Sequence, residues 1–267
     1  TCHGTSPHGI TGILSRHLDD HVRAVSCETC HIPYYAPETP TLLSTDFSTA
    51  GKKLPVEKDQ FGMPLYDNNR GSLTWGKKVV PQYRWFDGTR KSYLLGDEIT
   101  ESEDGDVELN APLGAKHIPE ARIFPFKVHT ANQPYDTEKN ILVPVKFKNE
   151  FWKNYDWNKA IAAAMKAVGL EYSGQYDFIK TKMYTSIHHG TVPAKKALGC
   201  ADCHQVKAIT CNRCHQNAKG MDQPSHTQKV YPGTDKRIDF KALGYKDDPA
   251  IIGGRFYINL GRGKPPR

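Results

Sequence analysis

Six of the seven cysteines in this chain occur in three copies of one short pattern, in which two residues separate a pair of cysteines and a histidine follows directly. The copies are Cys27-Glu-Thr-Cys30-His31, Cys200-Ala-Asp-Cys203-His204 and Cys211-Asn-Arg-Cys214-His215. At this spacing each thiol can add to one vinyl group of the same haem, and the histidine lies below the iron as its proximal ligand. The pattern therefore predicts covalently attached haem c at three places.

The seventh cysteine extends this prediction to a fourth haem. Cys2 is followed directly by His3, which is the second half of the same pattern, and the first cysteine of that motif would precede Thr1. We therefore expect the chain to begin inside a haem motif and to be a piece of a longer protein. The predicted cofactor is haem c, with four groups in this chain, one of which has its first cysteine outside it.

Zinc is the main alternative for these cysteines. Cys200, Cys203, Cys211 and Cys214, taken alone, have a plausible spacing for a four-thiolate zinc site. Such a site gives no reason for a histidine after every second cysteine. Disulfides are a further alternative, but cysteines three positions apart rarely pair outside redox sites. Haem attachment explains every position of the pattern.

The histidine count agrees with haems that have two axial ligands. Of 12 histidines, four are the predicted proximal ligands, namely His3, His31, His204 and His215. A low-spin electron-transfer haem needs a second axial ligand, which is commonly another histidine. Chain position favours five of the remaining histidines as distal ligands: His8, His21, His129, His189 and His226. The weaker candidates are His17, His117 and His188.

Composition and charge exclude some classes of protein. No apolar run approaches the ~18 residues that a membrane span requires. The formal net charge of +7 does not indicate nucleic-acid binding, because two propionates on each haem would bring the loaded protein near neutrality and the basic residues are scattered. The hydrophobic fraction of 38% is low for a chain that buries a core unaided, so haems would supply much of that core.

The elements that position these residues are predicted to be mainly α-helical, with extensive irregular structure and haems forming much of the core. Apolar residues at helical spacing predict a helix over residues 13–25, and the Ala-rich run 158–168 predicts another that ends at Gly169. We also expect a helix over residues 177–189, which leads to the second complete motif.

Motif positions and composition divide the chain into four segments. Residues 1–40 form a haem-binding segment with two haems. Residues 41–155 are free of cysteine and rich in aromatic residues, proline and glycine, so we expect them to cover the haems. Residues 156–226 form a helical segment with a closely spaced haem pair, and residues 227–267 form a C-terminal tail that wraps the body or reaches a neighbouring molecule.

Several further stretches match a known family. They include His21-Val-Arg-Ala-Val-Ser-Cys27, Tyr83-Arg-Trp-Phe-Asp87, Phe124-Pro-Phe-Lys-Val-His129, Gln133-Pro-Tyr-Asp136 and Ala197-Leu-Gly-Cys200. With these residues the chain resembles the octahaem tetrathionate reductase family of multihaem cytochromes c, most clearly over residues 30–215. The resemblance implies a C-terminal half that holds the last four haems. It also implies that His21, His129 and His189 are distal ligands, whereas an asparagine is more usual at His188.

The resembled family is similar to hydroxylamine oxidoreductases and multihaem nitrite reductases, in which one haem with an open distal side reduces a small substrate. The resemblance places that haem before Thr1, so no catalytic residue is assigned here. We expect a chain of closely packed bis-histidine haems that serves as the wire of a reductase of small nitrogen or sulfur oxyanions. The alternative is a non-enzymatic octahaem conduit that stacks into an extracellular electron-conducting filament.

The expected partners follow from this interpretation. They are the upstream half of the same protein with its further haems, redox partner proteins, and other copies of the chain through self-association; neither nucleic acid nor a membrane span is expected. Haem is attached to this motif outside the cytoplasm, so the sequence predicts a periplasmic or extracellular protein.

Overall fold

A mixed β-sheet is the largest feature of the computed structural model, which describes residues 6–9, 13–55, 57–204 and 237–252. Within these residues, helix accounts for 20% and strand for 30%, and the main sheet has eight strands. The expectation of a mainly α-helical fold is therefore wrong. No helix in the described ranges is long and apolar enough to cross a membrane.

Ten strands build this part of the chain. They are β1 Thr41–Asp46, β2 Tyr66–Asp67, β3 Gly71–Gly76, β4 Gln82–Phe86, β5 Arg90–Ser92, β6 Val107–Glu108, β7 Asn110–Pro112, β8 Arg122–Asp136, β9 Ile141–Leu142 and β10 Tyr176–Ser186. The main sheet has the order β2-β3-β1-β8-β10-β6, and β4 and β9 also pair with β8. The pairs β1–β8 and β6–β10 are parallel and the others in this sheet are antiparallel. Strands β5 and β7 form a separate ribbon.

The α-helices of the described residues are short, except for one. They are α1 Ile13–His21, α2 Cys27–His31, α3 Trp152–Asn154, α4 Trp157–Val168, α5 Cys200–Cys203 and α6 Pro249–Ile252. The helix predicted over 158–168 is confirmed as α4. Its first turn is capped by the Asp156 carboxylate, which accepts from the Lys159 N–H, and Gly169 ends it in the left-handed conformation. The helix predicted over 13–25 is confirmed in its first part as α1.

Strand β8 lies at the centre of the sheet, although it contains two prolines that argue against predicting a strand from the sequence. Pro125 lies opposite Tyr83 of β4, and Pro134 lies opposite Phe178 of β10. Proline cannot donate to a β-ladder, so its presence argues against a central strand. Here the proline carbonyls still accept, Pro125 from the Ile187 N–H and Pro134 from the Val143 N–H. The missing donors therefore do not interrupt the strand.

The helix predicted over residues 177–189 is wrong, because most of this stretch forms β10. The strand pairs along its whole length with β8, from Tyr176 opposite Asp136 to Ser186 opposite Phe126. The segment is rich in aromatic and β-branched side chains, which favour a pleated surface when a partner strand is present. Thr181 and Tyr184 of β10 are buried. Tertiary pairing with β8 thus decides the conformation of this segment.

One end of the sheet contacts the cysteine motifs. Ile123 near the start of β8 packs in a buried cluster with Tyr83 and Trp85 of β4, and Cys203 of α5 contacts the same cluster. Residues 237–245 close this cluster through Ile238, Leu243 and Tyr245. The sheet therefore provides the rigid surface on which two complete motifs are held.

Candidate haem-binding site

The first complete motif is anchored to β8 by Thr29, the second of the two residues between its cysteines. Ile123 O at the start of β8 accepts from the Ser26 N–H at 3.0 Å and from the Thr29 hydroxyl at 2.8 Å. The Thr29 side chain is fully buried, whereas Cys27 is exposed and Cys30 is half-buried. Helix α2 is thus fixed from its inner side while Cys27 faces outward.

The second complete motif is held by Asp202, the residue at the equivalent position. Asp202 occupies the same place in its motif as Thr29, and its carboxylate accepts from the Gly199 N–H at 2.8 Å. The Asp202 carbonyl accepts from the Arg237 N–H at 3.2 Å. This residue therefore closes the first turn of α5 and connects it to the segment that follows residue 236.

The fold brings these two motifs together, although most of the chain separates them. The Leu198 N–H donates to the Cys30 carbonyl at 2.9 Å, and the Val192 N–H donates to the His31 carbonyl at 2.8 Å. The approach to α5 therefore lies directly against α2. Groups attached to the two helices would be close neighbours.

The inner cysteines of the two motifs share a buried environment. Burial, and then the neighbouring thiols of Cys27 and Cys200, raise the pKa of Cys30 to about 11. Burial, and then the thiol of Cys30, raise the pKa of Cys203 to about 12. Since each thiol affects the other motif, the two pairs of cysteines lie near one another. Among the described residues, no group of three or more His, Cys, Asp or Glu could hold a bare metal ion.

Two of the proximal histidine candidates, His31 and His204, lie within the described residues. The Nδ1 of each makes the hydrogen bond that a metal-bound histidine needs on the side away from the metal. The His31 Nδ1–H donates to the Val192 carbonyl at 2.9 Å, and the His204 Nδ1–H donates to the Asp248 carboxylate at 2.7 Å. A proton on Nδ1 places the ring lone pair on Nε2, which is the atom that ligates iron in this motif. The two histidines therefore have the tautomer that haem requires.

The rings of His21 and His204 lie close together. Helix α1 ends at His21, and the two ring centroids are 6.0 Å apart with an angle of 73° between the ring planes. Two imidazoles on opposite sides of one metal would have centroids about 6.4 Å apart, from bonds of about 2.0 Å and about 1.2 Å from nitrogen to centroid. The structure therefore brings together a proximal and a distal candidate.

Two other distal candidates have different neighbours. His129 is in the middle of β8, about 20 Å along the strand from Ile123, and its Nε2 is 3.4 Å from the Thr45 hydroxyl. Burial lowers the pKa of His129, so its imidazole is neutral near pH 7, as a ligand must be. The His8 Nδ1 lies 2.9 Å from the Asp19 carboxylate.

The segment after β10 contains two further candidates, His188 and His189. His189 is exposed and lies shortly before Val192, the residue that contacts His31. The neighbouring His188 has its Nδ1 3.5 Å from the Glu28 carboxylate, and its ring packs 5.1 Å from that of Phe124. Both histidines therefore belong to the segment that contacts the first motif. His117 is exposed.

Part of the predicted site lies outside the described residues. This applies to the partial motif and to the third complete motif with the histidine that follows it, namely Cys2, His3, Cys211, Cys214, His215 and His226. The predicted close pair formed by the second and third motifs is therefore not described. The division into four segments also stays a prediction.

Sequence reasoning missed the residues that hold the ligands in place. Asp248 precedes Pro249 at the start of α6, and this order indicates a helix start, but nothing in the sequence connects it to His204. Tyr83 is buried beside Cys203. Burial, and then the Cys203 thiol, hold the pKa of Tyr83 well above its usual value. The cysteines of the two described motifs are free, and the Nδ1 hydrogen bonds of His31 and His204 leave each Nε2 available for iron, so the residues present fit a covalently bound haem.

Comparisons with known proteins support haem c as the cofactor. The family model described as bacterial cytochrome c matches residues 43–207. The crystal structure of octahaem cytochrome c from Shewanella oneidensis is similar, with 32% identity and a TM-score of 0.76, covering 100% of this chain and 53% of that one. The chain thus spans about half the length of that cytochrome. No curated protein matches the chain. This chain belongs to the bacterial cytochrome c family, and it is a multihaem electron-transfer protein that uses haem c.

Proposed function

We propose that this chain is the electron-conducting half of an octahaem cytochrome, and that the motifs Cys27–His31 and Cys200–His204 hold consecutive members of its electron path. The observation that supports the proposal best is the direct contact of α2 with the segment before α5, through Leu198 and Cys30. When bound, haem supplies an iron centre that accepts and releases one electron. The motifs hold two such centres side by side.

His21 and His204 are proposed as the two axial ligands of one iron. The ring separation of 6.0 Å supports this assignment, and the hydrogen bond to Asp248 orients His204 for it. An iron with two strong ligands has no open position for substrate, so this centre transfers electrons only. In this proposal both histidines are axial ligands of an electron-transfer haem and not catalytic residues.

The reaction that this wire serves is proposed from the resemblance and from chain length. The similar octahaem cytochrome is about twice as long as this chain, which supports further haems upstream. We assign to that upstream half the reduction of a small nitrogen or sulfur oxyanion, as the resemblance to octahaem tetrathionate reductases implies. His8, His129 and His189 remain proposed distal ligands. Haem is attached to this motif outside the cytoplasm, which supports a periplasmic or extracellular location.

The full-length, haem-loaded protein tests the proposal by electron paramagnetic resonance. We expect magnetic coupling between the ferric haems at His31 and His204, and loss of this coupling together with one haem in Cys200→Ala/Cys203→Ala. If this magnetic coupling survived in the variant, the proposal that the haems at His31 and His204 are neighbours would be wrong. One high-spin haem that binds nitrite or hydroxylamine supports the reductase, whereas exclusively low-spin haems would contradict it and favour the stacking conduit.

A further inference from the structure

We infer that Asp248 is a positioning residue that acts through His204 to lower the reduction potential of the iron that His204 ligates. The inference rests on the proposed function, in which His204 is an axial ligand. It concerns the outer side of the ligand, which the cysteine motif does not specify.

The contact between Asp248 and His204 is short and excluded from water. The Asp248 Oδ1 is 2.7 Å from the His204 Nδ1, and the Asp248 side chain is 1% exposed. The same oxygen accepts from the Ala250 N–H at 2.9 Å. This backbone bond fixes the carboxylate at the start of α6, so the carboxylate cannot rotate away from the imidazole without losing both partners.

A second contact fixes the plane of the imidazole. The Phe240 ring stacks on His204 with a centroid distance of 5.3 Å and an angle of 16°. Phe240 belongs to the same segment as Asp248, and the Trp85 indole N–H holds that segment through the Leu243 carbonyl at 2.9 Å. The segment that precedes α6 therefore sets both the orientation and the hydrogen bond of His204.

The two neighbouring motifs differ in this outer contact. His31 donates to the neutral carbonyl of Val192, whereas His204 donates to a buried carboxylate. A carboxylate makes the imidazole a stronger electron donor and places a negative charge near the iron, and both effects favour the ferric state. The iron at His204 should therefore have the lower potential of the two, so that an added electron resides preferentially at His31.

The test is a potentiometric titration of the full-length, haem-loaded protein, with the individual haems assigned by paramagnetic nuclear magnetic resonance. In Asp248→Asn, the equilibrium constant for reduction of the iron at His204 should increase at least about tenfold. This increase corresponds to a reduction potential that is about 59 mV higher for one electron. The reduction potentials of the other haems should stay unchanged. Asp248→Glu should restore most of the wild-type value. Asp247→Asn removes the same charge from the exposed neighbouring residue and is the matched control.

Three outcomes overturn the inference while the proposed function stands. They are an unchanged potential in a low-spin Asp248→Asn protein, an equal shift in Asp247→Asn, and a wild-type iron at His204 whose potential is above that at His31. The last comparison needs no variant, so the inference stays testable if Asp248→Asn fails to fold. If His204 ligates no iron, the proposed function fails first, and the resonance spectra show this in the wild-type protein.

Discussion

Replacement of His21 by alanine should remove one axial ligand from one haem. With ring centroids 6.0 Å apart, His21 and His204 are proposed to ligate the same iron, so the variant should contain one five-coordinate, high-spin haem per chain. His129 cannot replace the lost ligand, because it lies about 20 Å along β8 from the motif. The other haems should keep the spin states that they have in the wild-type protein.

Electron paramagnetic resonance of the oxidised, full-length protein measures this change. The high-spin ferric signal in His21→Ala should integrate to one more iron per chain than in the wild type, and added imidazole should convert that iron back to low spin. His117→Ala is the matched control, since His117 is also an exposed histidine. The reasoning is refuted if His21→Ala gains no high-spin signal, or if His117→Ala gains the same one.

Three further predictions concern residues that stabilise the site or the central strand of the sheet. Thr29→Val removes the hydroxyl that donates to the Ile123 carbonyl at 2.8 Å, which should cost about 1–2 kcal/mol in the free energy of unfolding, measured by denaturant titration. Asp136→Asn should cost about 2–4 kcal/mol, because the buried carboxylate accepts four hydrogen bonds. Burial opposes ionisation of Asp136, but these hydrogen bonds hold its pKa below the usual value. The carboxylate should therefore contribute its full share to the free energy of unfolding above about pH 4. This contribution should be lost as the pH falls through the lower pKa of the folded state. Trp85→Phe removes the donor to the Leu243 carbonyl and should accelerate proteolysis within residues 237–252, measured by mass spectrometry of the fragments.

The first two of these predictions have matched controls, and the third has an outcome that would contradict it. Thr29→Ser keeps the hydroxyl and should retain the hydrogen bond, so an equal loss in both variants would contradict the role of that bond. Asp87→Asn changes a turn carboxylate that accepts from Thr89 nearer the surface and should cost less than Asp136→Asn. If Trp85→Phe left cleavage in residues 237–252 unchanged, the indole would not be what holds this segment.

The sequence alone was sufficient for the chemistry, because haem attachment depends on local spacing. The cysteines and the following histidine lie within five residues of each other, and family membership agrees with haem c. Helix α4 was also predictable, since its alanine-rich run, its apolar spacing and Gly169 are local signals.

The sheet and the contacts between motifs were not predictable in this way, because they depend on distant parts of the chain. Strand β10 has side chains that suit a strand, but its conformation is decided by pairing with β8, in which Pro125 and Pro134 conceal the strand. Similarly, no local signal brings His31 next to Val192, or Asp248 next to His204. The use of haem c was therefore predictable, whereas the outer partners of the candidate ligands were not.

The most direct test of this account is an experimental density map of the full-length, haem-loaded protein at a resolution that shows the axial ligands. The account predicts one iron between the Nε2 atoms of His21 and His204, the Asp248 carboxylate at the His204 Nδ1, and the haem of Cys27–His31 as the immediate neighbour. An iron at His204 with a different distal ligand, or another haem between these two motifs, would contradict it.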